Sequence, residues 1–152
     1  GRMMEDIILL ETQIAYPEKK VFKLQFAVGE YDMVVFDPKE ISCKIYEVKY
    51  SKEQVAEQYH HLKDEAKCAM TSHRYGDIEE KYVIYRGESA TIDGIQYLNV
   101  EEYLKSLWKQ IYNAVTSRRV NEELGGEQMM SGFHRFLFLG IIRMGSEKCV
   151  CQ

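Results

Sequence analysis

Asp32, Glu47 and Lys49 are the residues whose types and spacing best suit a chemical role. Asp32 lies in the run Gly29-Glu30-Tyr31-Asp32-Met33-Val34-Val35-Phe36, and fifteen residues later Glu47-x-Lys49 lies in Lys44-Ile45-Tyr46-Glu47-Val48-Lys49-Tyr50. Both runs are otherwise largely apolar and read as strands, on which side chains two apart share a face. Glu47 and Lys49 then point the same way as Ile45, with Tyr46, Val48 and Tyr50 opposite. Glu30, Asp32, Val34 and Phe36 share a face of the preceding strand. If the two strands pair in matching register, Asp32 comes within roughly 5 Å of Glu47. Carboxylates that close repel unless a divalent cation sits between them, and oxygen ligands with open water positions suit Mg²⁺ or Mn²⁺. Such an ion polarises a phosphoryl oxygen and acidifies its bound water. Lys49 would orient that water or stabilise the charge that builds on phosphorus. The alternative is a salt-bridged cluster at a sheet edge. An acid two residues before a lysine occurs five times, from Glu18, Asp37, Glu47, Glu65 and Glu79, so the dipeptide spacing alone says little. Only the Glu47 instance lies in an apolar strand that follows another acid-bearing strand.

The elements that must hold this trio follow from periodicity and turn chemistry. Ile7, Ile8, Leu10 and Ile14 have helical spacing between Glu5 and Tyr16, and Pro17 ends the pattern. Val21 to Val28 alternates as a strand, Gly29 turns the chain into Glu30 to Phe36, and Asp37-Pro38 turns it again toward Ile45 to Tyr50. Ser51-x-x-Gln54 has the form of a capping box, which predicts a helix from Ser51 to about Met70 with Val55, Tyr59, Leu62, Ala66 and Ala69 on its apolar stripe. Thr71 to Gly76 reads as a loop, Lys81 to Arg86 as a strand, and Ile95 to Leu98 as a short strand. Asn99-x-x-Glu102 caps a last helix with Val100, Tyr103, Leu104, Leu107, Ile111 and Val115 on its stripe. The order helix, three strands, helix, strand, short strand, helix predicts an α/β domain over residues 5–115 with a central mixed sheet flanked by helices. Residues 116–152 read as a linker and a weakly determined terminal segment.

Composition bounds the possibilities. The 152 residues fit one domain of usual size, and 45% hydrophobic with 29% charged residues is ordinary for a globular protein. The apolar run Phe136 to Ile142 is too short for a membrane helix, and no secretory signal opens the chain. The opening Gly1-Arg2-Met3-Met4 suggests a fragment of a longer chain. Cys43, Cys68, Cys149 and Cys151 show no disulfide framework, so a reducing cytoplasm is expected. Cys149-Val150-Cys151 lacks a second ligand pair at zinc spacing, and His60, His61, His73 and His134 read as surface or packing residues. The net charge of −4 gives no overall basic face for nucleic acid, although Lys19, Lys20, Lys23, Lys44, Lys49 and Lys52 are expected to gather near the trio.

With these residues on the page, the chain from about Glu5 to Leu107 resembles the PD-(D/E)xK nuclease superfamily, whose restriction-endonuclease-like core runs αβββαβ. Gly29-Glu30-Tyr31-Asp32-Met33-Val34-Val35, Tyr46-Glu47-Val48-Lys49-Tyr50-Ser51, Tyr85-Arg86-Gly87-Glu88 and Asp93-Gly94-Ile95-Gln96-Tyr97-Leu98-Asn99 look like the C-terminal nuclease-like domain of prokaryotic AAA-type ATPases. The resemblance implies a metal-dependent DNA endonuclease-like domain with Asp32 and Glu47 as metal ligands and Lys49 as the catalytic lysine. It implies Glu11 as an accessory acid on the first helix, and Gln54 or Gln58 as a polar position near the site. It also implies DNA and an ATPase domain of the same parent chain as partners, and an oligomer is compatible with it. Tyr31 stands where the superfamily often has proline. No G-x-x-x-x-G-K-[S/T] stretch exists in this sequence, so an ATPase would have to precede it. Relatives of this kind also include nuclease folds kept for binding or regulation without cleavage, which is the competing reading of function.

Overall fold

The computed structural model describes residues 2–54 and 59–119. The chain divides after Ala114 into two units, and the sheet lies wholly in the first. The elements are α1 (Arg2–Ala15), β1 (Lys20–Gln25), β2 (Glu30–Asp37), β3 (Ser42–Val48), α2 (His60–Lys63), α3 (Glu65–Tyr75), β4 (Asp77–Tyr85), β5 (Ala90–Ile92), β6 (Ile95–Asn99) and α4 (Val100–Arg119). They form an α/β domain with a six-stranded mixed sheet in the order β1-β2-β3-β4-β6-β5. The hairpin-linked strands β1, β2 and β3 are antiparallel, as are β5 and β6. The helix-linked pairs β3/β4 and β4/β6 are parallel.

Two aromatic and aliphatic layers fix the sheet between its helices. Leu62 of α2 joins Tyr31, Val34, Ile45, Val83, Tyr85 and Tyr97 in one buried cluster. On the other face Tyr46 stacks on Tyr82 with ring centroids 4.8 Å apart and approaches Tyr103 of α4 at 6.2 Å. Burying such rings supplies much of the stabilisation of a domain this size. The hydroxyl of Thr12 on α1 meets that of Tyr103 at 2.9 Å, so a polar contact ties α1 to α4 beneath the surface.

Three local expectations are corrected. The capping box at Ser51 starts no helix there: the Ser51 hydroxyl accepts from Glu53 N at 2.9 Å, which closes a local turn. The helical chain runs instead from His60 and is broken at Asp64, whose extended backbone (φ −67, ψ 108) ends α2 and whose carboxylate caps α3 by accepting from Lys67 N. The break lets α3 continue to Tyr75, through most of the expected loop. Third, α1 forms, but Leu10 and Ile14 are more than half exposed while Ile8, Glu11 and Thr12 are buried. The inward face of that helix carries the polar ties to α4. By contrast Asn99 caps α4 as expected, its Oδ1 accepting from the backbone of Glu101 and Glu102. Gly76 ends α3 at φ +76 with the Ile41 carbonyl so close that a Cβ would stand 1.6 Å from it, so only glycine fits this junction. Gln58, Val55 and the segment from residue 120 onward lie outside the described residues.

Candidate active site

Strands β2 and β3 pair from Asp37↔Ser42 to Met33↔Tyr46, and there the ladder stops. Beyond it β3 stays with β4, Lys49 N donating to the Ile84 carbonyl at 2.8 Å. The Asp32 carboxylate fills the gap between the parting strands: its Oδ2 accepts from Val48 N at 2.7 Å, standing in for a backbone acceptor. On the far side of β2 the register slips, with Phe22 opposite Val34 but Leu24 opposite Tyr31, so two residues of β2 face one of β1. That bulge breaks the expected alternation and allows both Tyr31 and Val34 to enter the same core cluster.

The trio gathers in this cleft. Glu47 pairs in register with Val83 and so faces the α2/α3 side of the sheet, where it is 1% exposed. Asp32 is 7% exposed. Lys49 Nζ lies 2.7 Å from Glu47 Oε2 and 3.8 Å from Asp32 Oδ2, so one ammonium serves two buried carboxylates. Burial, then the charge of Asp32, pushes the Glu47 carboxyl up to about 7 against the opposing pull of Lys49. The Lys49 ammonium is lowered by burial, yet its hydrogen bond to Glu47 and the charges of Glu47 and Asp32 more than offset this and hold it above its ordinary value. With both acids ionised the cluster would carry two negative charges against one ammonium, and the raised Glu47 value answers that surplus. Glu47 Oε1 is buried with no hydrogen-bond partner.

An orphaned carboxylate oxygen beside a second carboxylate fits a hard divalent cation, which would take up the surplus charge and the free lone pair together. Asp32 and Glu47 are the residues that could hold it. Among the described residues no three His, Cys, Asp or Glu side chains converge as a metal cage. A Mg²⁺-like ion held by two carboxylates keeps several waters, so two ligands are compatible with that class of ion and not with a structural zinc.

Of the accessory residues, Glu11 and Gln54 have other partners. Glu11 is buried, and its Oε2 accepts from Trp108 Nε1 at 3.0 Å, which makes it a tie between α1 and α4. An acid of α1 that does contribute to the field at Lys49 is Glu5, six residues earlier. Gln54 donates to the Tyr85 hydroxyl at 2.7 Å. Sequence reasoning missed Glu5 because nothing in its spacing distinguishes it from Asp6. The expected basic rim is largely neutralised: Lys19 pairs with Asp37 at 3.1 Å, Lys23 with Glu5 and Asp6, and Lys44 with Glu80. Among the described residues no helix is long and apolar enough to cross a membrane. No model of a known protein family, no curated protein and no solved structure matches the chain.

Proposed function

We propose that this domain is a metal-dependent phosphodiesterase, a DNA endonuclease-like module with a restriction-endonuclease-like core, of the kind carried at the C-terminal end of larger AAA-type ATPases. The observation that supports it most directly is the pair of buried carboxylates, Asp32 and Glu47, at the point where β2 and β3 part, with one Glu47 oxygen unpartnered and Lys49 beside both. Mg²⁺ or Mn²⁺ bound there would polarise the phosphoryl group and activate water. Asp32 and Glu47 would supply the ligand oxygens, and the backbone N–H of Val48 keeps the Asp32 carboxylate in place. Lys49, charged and anchored on Glu47, is set to stabilise negative charge on a phosphate that enters the cleft. Incubation of supercoiled plasmid with Mn²⁺ tests the reading. Wild type should nick it, and Asp32→Ala, Glu47→Ala and Lys49→Ala should each slow nicking by about 100-fold or more. Calorimetric titration with Mn²⁺ should show binding that Glu47→Ala removes. Equal residual cleavage in all four proteins would mean a contaminant and would sink the proposal.

A second reading, a nuclease fold kept for interaction or for regulating an attached ATPase, is favoured by one observation: Lys49 already satisfies Glu47 Oε2 in a closed ion pair. It predicts that Mn²⁺ neither binds nor supports cleavage, and that Glu47→Ala changes oligomeric state without changing any effect on DNA.

A further inference from the structure

Lys67 is the one lysine or arginine among the described residues that is buried, at 6% exposure. Its backbone belongs to α3, where a lysine ordinarily reaches solvent. The ammonium meets His61 Nδ1 at 2.6 Å and lies 5.5 Å from the centre of the Phe26 ring. Among the described residues no carboxylate comes within ion-pair distance of it. A buried ammonium with no carboxylate in an ion pair is costly, and an anion that entered beside it would offset that cost. An ammonium can only donate, so beside a charged Lys67 the ring hydrogen of a neutral His61 stands on Nε2, which is then a second donor.

These two groups line an open cavity of about 440 Å³ together with Val28, His60, Lys63 and Asp64. Asp64 is partly spoken for, one oxygen accepting from Lys67 N at 3.1 Å, and Lys63 is shared with Asp93 at 3.3 Å. The turn before β2 closes over the pair: Gly29 has φ +79, and a Cβ there would stand 2.8 Å from His61 Cε1 and 3.0 Å from Lys67 Nζ. A glycine is therefore what lets the backbone approach the cation. The cavity lies on the face of the sheet that Glu47 occupies, because Leu62 beside His61 packs with Ile45 and Val83. Asp32 follows Gly29 by three residues, roughly 10 Å of extended chain.

We propose that this cavity is a phosphate subsite, in which Lys67 and His61 hold a backbone phosphate of a nucleic acid that flanks the bond at Asp32 and Glu47. The assignment of nucleic acid rests on the phosphodiesterase reading, whereas the anion site itself stands on the buried lysine. The test is done on the full chain in EDTA, so that binding is read without cleavage. Inorganic phosphate, against chloride at equal ionic strength, should raise the melting temperature of wild type and of Asp32→Ala, and should lose this effect in Lys67→Met. A fluorescent 20-base-pair duplex should bind Lys67→Met about tenfold more weakly, with the slope of log K against log salt reduced by about 0.9. Should Lys67→Met fail to fold, His61→Ala at a half-buried position carries the same comparison, with a severalfold loss. No phosphate effect on wild type would overturn the site. A phosphate effect lost in Lys67→Met with unchanged duplex affinity would overturn the nucleic-acid assignment and leave a site for free anions. Loss of Mn²⁺-dependent cleavage as a real activity, with the phosphate effect intact, would count against the phosphodiesterase reading alone.

Discussion

Glu47 keeps a proton near neutrality because it is buried beside a second acid and only one ammonium serves them both. The ordinary glutamate value is 4.5 and the folded value about 7, so folding takes up a proton between those pH values. The stability this group contributes is complete below pH 4.5 and is lost as pH rises through 7, a penalty of roughly 3 kcal/mol by pH 8. Glu47→Gln resembles the protonated acid and escapes the penalty, while Lys49 retains Asp32 as a partner. Thermal denaturation in metal-free buffer should therefore show the melting temperature of Glu47→Gln gaining on that of wild type from pH 5 to pH 8. A difference that is flat or narrows over that range would mean that Glu47 is ionised throughout. The trio was legible at this scale because strand alternation places Glu47 and Lys49 on one face. The orphaned oxygen and the Lys67 ammonium were not, since each depends on what lies opposite in space.

At the scale of elements, two buried or half-buried polar pairs tie α1 to α4. Trp108 Nε1 donates to the buried Glu11 carboxylate at 3.0 Å, and the Thr12 hydroxyl meets that of Tyr103. Trp108→Phe leaves the Glu11 oxygen without that donor and should cost about 1–3 kcal/mol in denaturant unfolding. Glu11→Gln preserves an acceptor and should cost less, and Mn²⁺-dependent nicking by it should stay within about twofold of wild type. A collapse of nicking in Glu11→Gln would return Glu11 to the metal site. The cap of α4 was legible because Asn99 acts on its own neighbours. The start of the middle helix was misread because Ser51 has two local options of similar form, a cap and a turn, and packing selects between them.

At the scale of the whole molecule, the sheet has a centre and two unequal edges. Strands β3 and β4 are paired on both sides, and Ile45, Val83 and Ile84 are fully buried. The short β5 and the register-slipped β1 form the edges. Native-state hydrogen exchange should find the amides of Ile45, Tyr46, Val83 and Ile84 exchanging only through global unfolding, with β5 opening several-fold sooner or more. Uniform protection across all six strands would contradict this gradient. The candidate site sits where the central and edge regimes meet, since β3 stays in the rigid centre while β2 leaves it at Asp32. With a net charge of −4 and Lys19, Lys23 and Lys44 held in ion pairs, affinity for a polyanion has to come from a local group of cations and not from the overall charge.

The sequence by itself determined the α/β alternation, the strand identities of the two acid-bearing runs, the cap of α4 and the common face of Glu47 and Lys49. All of these are consequences of periods of 2 and 3.6 and of side chains acting within a few residues of themselves. Only the tertiary structure decided that β2 and β3 part at Asp32, that Glu5 of α1 contributes to the field at Lys49 while Glu11 binds Trp108, and that Lys67 is buried against His61 beside Gly29. Those facts join residues that are far apart in the chain. No local pattern encodes the strand register, the bulge or the helix break that brings them together.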